Sequence, residues 1–135
     1  MKVYVCGKMT GLPEYNYPKF IEVAENLRQK GFTVYNPVDA QVDLETIHEV
    51  DNFMFNRLTG EKPVEEARFE WEDYMKASLK MMLECDIVYV LDGYEDSRGA
   101  NVEIQLAKQL GMYIVTESGR VLNDVEIYFK GVEKL

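Results

Sequence analysis

A chain of 135 residues lies within the range of one domain and is long enough to bury a real core, and with 47% hydrophobic and 29% charged residues it is unlike a disordered or fibrous protein. Its 24 acidic against 15 basic side chains give a net charge of -9, which repels a polyphosphate backbone and argues against a nucleic-acid polymer as partner. A mononucleotide stays open, because a few local donors hold one phosphate whatever the global charge.

The first apolar run, Lys2, Val3, Tyr4, Val5 and Cys6, stops at Gly7 in the manner of a buried parallel strand feeding a loop. After a loop over residues 8–15, Asn16 and Pro18 signal a helix start, and Phe20, Val23, Ala24 and Leu27 recur at helical spacing up to the stop at Lys30 and Gly31. Residues 32–35 read as a second strand ended by Asn36 and Pro37, and a strand, a helix and a strand in this length imply parallel pairing. Residues 38–62 are mixed, with a short helix predicted over 44–50 and a cluster of Phe53, Met54 and Phe55 that suits a lid. Pro63 opens the longest helix, predicted over 63–84, with Ala67, Trp71, Met75, Ser78 and Met82 along its inner stripe. Residues 86–91 form the clearest strand, followed by a polar loop over 92–98, a helix over 99–110 closed by Gly111, and a strand over 112–115. A last edge strand is predicted over 125–129.

Alternating strands and helices imply a parallel sheet covered on both faces, and in such sheets ligands bind beyond the carboxyl ends of the strands near a switch in strand order. That singles out two loops, residues 7–13 and residues 92–98. Cys6 and Cys85 fall at predicted strand edges without metal or redox spacing and read as small buried apolar residues. Met1 leads straight into a strand, with no basic and apolar leader and no stretch long enough to span a bilayer, so the expectation is a cytoplasmic protein without a membrane partner. The lone His48 gives no metal signature, and neither a metal nor a cofactor is predicted.

Glu103 shares a helix face with Ala100, Ile104 and Ala107, which sets a carboxylate on a stripe that otherwise packs against the sheet. Burial raises its pKa, the nearby helix N-terminus favours the ionised form, and an ionised carboxylate beside an electrophilic sugar carbon acts as a nucleophile. A surface glutamate on a slightly shifted helix phase is the alternative. Ser97 supplies a hydroxyl where backbone N–H groups open a helix, which suits either a phosphate or a plain N-cap, and Arg98 either neutralises that anion or lies solvated. In the first loop Gly7 and Gly11 allow close backbone approach, while Lys8 and Thr10 offer donors to a phosphate or sugar hydroxyl; an ordinary turn fits the same residues.

The run over residues 3–20, together with Cys85-Asp86 and the motif from Ser97 through Gly99 and Ala100 to Glu103, resembles an often virus-encoded branch of the nucleoside 2-deoxyribosyltransferase superfamily. It is also similar to the 2'-deoxynucleoside 5'-monophosphate N-glycosidases of that superfamily, which have a Tyr-x-Cys-Gly start, here Tyr4 to Gly7, and a Ser-x-Gly-x-x-x-Glu motif. The resemblance implies that Glu103 is the nucleophile, that Tyr4 orients it, and that Ser97 and Gly99 hold a 5'-phosphate. Where the related catalysts place an aspartate as general acid, this chain has Ser78, whose hydroxyl is a poor proton donor near neutral pH. Either Asp73, Asp92 or Asp96 stands in for it, with Asp92 the catalytic candidate, or the chemistry is slow, or the protein only binds.

The combined reading is a single domain over residues 1–135, a Rossmann/flavodoxin-like three-layer sandwich with a parallel sheet of about four to five strands. The expected function is N-glycosidic bond cleavage of a deoxyribonucleoside 5'-monophosphate, by hydrolysis or transfer. The expected partners are a small-molecule nucleotide and, by the resemblance, further copies of the chain in a homodimer or higher homo-oligomer. Two rivals have different chemistry: a non-catalytic nucleotide-binding module on the same fold, and an α/β interaction protein with no small ligand.

Overall fold

The computed structural model describes residues 1–39, residues 71–123 and Leu135. Four strands form one parallel sheet: β1 over Lys2–Cys6, β2 over Thr33–Tyr35, β3 over Ile87–Val90 and β4 over Tyr113–Thr116. Their order is β2-β1-β3-β4, with Val3 opposite Val34 on one side and Ile87 on the other. Strand order reverses between β1 and β3, so the carboxyl ends of those two strands flank the crevice where ligands of open α/β sheets bind.

Among the described residues the sheet is covered by the helices α1 over Tyr17–Gln29, α2 over Trp71–Met82 and α3 over Arg98–Gln109. The two-residue period of β1 divides the interior. Val3 and Val5 point to the α1 face, where they pack with Phe20, Val23, Ala24 and Leu27. Tyr4 and Cys6 point to the opposite face, with Met82 of α2 and Ala100, Ile104 and Ala107 of α3. The expected three layers are present, and every predicted element within the described residues forms with ends shifted by a residue or two. The expected helix over 44–50, the cluster at Phe53, the first part of the long helix and the strand over 125–129 lie outside the described residues.

Two connections hold more structure than the plain loops that the sequence suggests. Residues Pro13–Asn16 form a 3-10 turn in which Glu14, Tyr15 and Asn16 all have left-handed backbone, with φ of 53°, 51° and 61°. Side chains disfavour that region by roughly 1–2 kcal/mol per residue. Asn16 therefore does not cap α1 with its side chain; its amide donates to the Lys8 carbonyl at 3.0 Å and ties the loop back on itself. The second is a 3-10 turn over Tyr94–Asp96 within the polar loop after β3.

Candidate active site

Glu103 lies one turn into α3 with Ala100, Ile104 and Ala107, and the face that it shares with them is buried against the sheet. Its residue is only 6% exposed, so the inward phase of the helix holds and the surface-glutamate alternative falls. On the neighbouring strand Tyr4 is fully buried, and on α2 Ser78 is buried with Met82 one turn further on. Burial drives the Glu103 carboxyl up to about 8, while interaction with the Tyr4 phenol pulls it back down. The Tyr4 phenol is itself pushed far up, first by burial and then by the Glu103 charge, with Ser78 acting in the opposite sense. Cys6, one step further along β1's inner face, is raised by burial and by the same carboxylate, so it stays a neutral thiol.

The Tyr4 and Glu103 groups are within interaction range, yet no well-formed hydrogen bond joins them. Both Tyr4 Oη and Glu103 Oε2 are buried without a hydrogen-bond partner. A buried polar atom left unpaired costs about 1–3 kcal/mol, so two of them side by side mark a place where the fold tolerates instability.

The other predicted residues group differently. Ser97 is the N-cap of α3, its Oγ accepting from Ala100 N at 3.1 Å, which realises the capping role and leaves the hydroxyl proton free to donate elsewhere. Gly7 is required by packing: a Cβ there would come within 2.9 Å of the Leu91 side chain, so the ends of β1 and β3 close on each other. Gly99 likewise admits Met75 of α2, whose Sδ would be 3.2 Å from an added Cβ. Arg98 turns its guanidinium onto the ring of Trp71, 3.8 Å from the centroid, and ties the first turn of α3 to α2. It also lines a shallow groove on the outer face of α3 with Asn101, Val102 and Gln105, so it is not gathered with Tyr4 and Glu103. Lys8 is half-buried and Thr10 and Gly11 are exposed in the first loop. Asp92 is exposed at the end of β3, its N–H donating to Glu117 Oε1 at 2.9 Å, and it is not among the groups that bear on the Glu103 carboxyl.

Two supports of this region escape the sequence reading. Glu117, just past β4, receives the Asp92 N–H, donates its own N–H to the Val90 carbonyl at 2.8 Å and pairs with Lys19 of α1 at 3.2 Å. These partners are far apart in the chain, beyond the reach of any local pattern. Asn101 turns its amide back onto the loop before α3; its position in the first turn of a helix after a polar loop is the one hint available. Among the described residues no group of three or more His, Cys, Asp or Glu side chains could hold a metal, and no helix is long and apolar enough to cross a membrane.

The four-stranded parallel sheet with helices on both faces is an α/β fold, and the chain shares it with a solved structure of the 2-deoxyribosyltransferase type. Among solved structures the chain is similar to the 2-deoxyribosyltransferase of Bacillus psychrosaccharolyticus, with a TM-score of 0.53 and 21% identity over 96% of this chain and 86% of that one. It is also similar to the CMP N-glycosidase BcmB of Clostridium botulinum, with a TM-score of 0.47 and 18% identity over 86% of this chain and 67% of that one. The chain belongs to the family described as a domain of unknown function, DUF4406, whose sequence model matches residues 1–116. No curated protein matches it.

Proposed function

We propose that the protein cleaves the N-glycosidic bond of a deoxyribonucleoside 5'-monophosphate, with Glu103 as nucleophile. The observation that carries this reading is the Glu103 carboxyl, enclosed at the sheet's switch point with an unpartnered oxygen beside an unpartnered Tyr4 hydroxyl. The ionised carboxylate attacks the anomeric carbon, the C1'–N bond breaks with its electron pair passing to the base, and water then hydrolyses the glycosyl ester, which is the logic of a retaining glycosidase. Tyr4 keeps its proton and orients the attacking oxygen. The 5'-phosphate sits at the start of α3, against the Ser97 hydroxyl and the N–H groups of the first turn, where the helix dipole favours an anion. The likeness in fold to a protein described as a 2-deoxyribosyltransferase supports the same bond as the target.

Ser78 favours a second reading. A buried serine beside Tyr4 is a weak acid for a departing base, which suits a module that binds nucleotide without cleaving it. The two readings separate in a chromatographic assay of free base from the four natural deoxynucleoside monophosphates. Positioned acid catalysis contributes about 10²- to 10⁴-fold, so Ser78→Asp should raise base release by that order, and adding Glu103→Gln should abolish it. A wild type that is already fast and that Ser78→Asp slows would place the proton donor elsewhere, with Asp92 or Asp96 next. Retained binding with no release by wild type or by Ser78→Asp would replace the enzyme by the binding module.

A further inference from the structure

The candidate reacting group is shut away from any substrate. Tyr4 and Cys6 have no exposed surface, Ser78 keeps 3% and Glu103 6%, and the unpartnered oxygens of Tyr4 and Glu103 are wholly buried. A carboxylate that attacks a sugar carbon has to touch it, so on the reading of Glu103 as nucleophile part of this enclosure moves first. Among the described residues the enclosure lies between two helices: α2 supplies Ser78, α3 supplies Glu103, and the Tyr4 hydroxyl of β1 bears on both. α2 ends where β3 begins, at the amino edge of the sheet, and α3 starts beyond the other end of β3, so both helices run from the carboxyl edge to the amino edge. Where they meet towards the carboxyl edge, two contacts join them. Met75 of α2 fills the space over Gly99, its Sδ 3.2 Å from where a Cβ would stand, and the Arg98 guanidinium lies 3.8 Å from the centroid of the Trp71 ring. Trp71, Met75 and Ser78 follow one another at spacings of four and three on one face of α2, so the stacked pair and the buried hydroxyl are about two turns apart on the same face.

We propose that the seam between α2 and α3 is the entrance to the Tyr4–Glu103 site and that the Arg98–Trp71 contact is its latch: the two helices part at the carboxyl edge, and the stacked pair holds them shut. Two opposed effects make the seam poised. Inside it, two buried oxygens without partners regain water when it opens, which lowers the cost of opening. At its end, Arg98 is exposed and Trp71 half-buried, and a surface contact of this kind is worth a factor of about two to five in an equilibrium, enough to bias the seam and little enough to break. Entry as the purpose of the opening rests on the catalytic reading given above; the opening itself is measured without turnover.

Cys6 is a built-in reporter. It is buried on the same face of β1 as Tyr4, and a thiol reacts with iodoacetamide only as an exposed thiolate. In the full chain carrying Cys85→Ala it is the sole cysteine. Alkylation at about pH 8 and limiting reagent, followed by mass spectrometry at low denaturant concentrations, should run through a local opening whose denaturant dependence is far shallower than that of global unfolding of the same protein. Arg98→Ala should speed it by about two- to fivefold and Trp71→Leu by at least as much. Arg98→Lys, which keeps the cation and loses the flat guanidinium, should fall between wild type and Arg98→Ala. The double variant Arg98→Ala, Trp71→Leu should be no faster than the faster single one, because both remove one contact. Alkylation that tracks global unfolding alone, a local opening that these variants leave unchanged, or accelerations that simply multiply in the double variant would each overturn the latch. Loss of folding at room temperature by both Arg98→Ala and Arg98→Lys would do the same, since a surface latch does not support the core. A seam that opens as described in a protein that releases no base would overturn the catalytic reading and leave the latch standing.

Discussion

On its α1 side, β1 offers Val3 and Val5 to Phe20, Val23, Ala24 and Leu27, and that contact is entirely apolar. On its other side the same strand offers Tyr4 and Cys6 to α2 and α3, where Ser78 and Glu103 are buried beside them. Both faces exclude water, so the difference between them is chemical. The first face does what a core does, and its removal should cost stability alone. The second holds a protonatable carboxyl and two orphaned oxygens that a purely structural face would replace by carbon, which is how strained or unsatisfied groups come to mark functional sites.

The largest expected effect breaks the apolar face. Phe20→Ala removes a fully buried ring and should cost about 3–5 kcal/mol, read as a lower denaturant midpoint, while activity per folded molecule stays unchanged. A matching loss of kcat in the folded fraction would show that the two faces are not independent.

Glu103→Gln should act in the opposite direction. The carboxyl titrates near 4.5 when unfolded and near 8 when folded, so between those values the folded chain holds a proton that the unfolded chain has lost. Stability contributed by the protonated group is complete below about pH 4.5 and falls as the pH rises through about 8. Glutamine removes that slope, and at pH 8 it should raise stability by on the order of a few kcal/mol relative to wild type, with little gain at pH 4.5. Melting curves across that range check it; identical pH dependence in the two proteins would mean that Glu103 is not the buried titrating group.

Tyr4→Phe should have the smallest effect. The phenol lowers the Glu103 pKa, so its loss moves the rising limb of the kcat/KM profile to higher pH. Stability should rise, by up to about 1–3 kcal/mol, because the hydroxyl that is removed is buried without a hydrogen-bond partner. A profile that moves to lower pH would give Tyr4 a different role.

Much of this was legible in the sequence because it follows short periods. Positions 100, 103, 104 and 107 describe one helical stripe, which puts Glu103 inside, and 71, 75, 78 and 82 do the same for Ser78. Alternation along β1 sends Tyr4 and Cys6 to a common side, although the pairing of Tyr4 with Glu103 came from family likeness. The rest depends on contacts that no local pattern encodes. Glu117 meets Asp92 and Lys19 only once β3, β4 and α1 are assembled. Three consecutive left-handed residues at 14–16 run against the preference of each residue, so propensity pointed to an ordinary loop. Arg98 next to a helix start suggested an anion partner, and the ring of Trp71, which instead holds its guanidinium, comes from a distant helix.

The central claim is that Glu103 is the reacting group of an N-glycoside site, and the most direct measurement is base release by wild type and Glu103→Gln under single-turnover conditions, with nucleotide affinity measured in parallel. Because the carboxyl is pushed to about 8, roughly one molecule in ten has it ionised at pH 7, so the comparison belongs at pH 8.5, where most molecules do. The account predicts that wild type releases free base while Glu103→Gln binds the same monophosphate, folds at least as stably and releases none. Release by Glu103→Gln at the wild-type rate would contradict it.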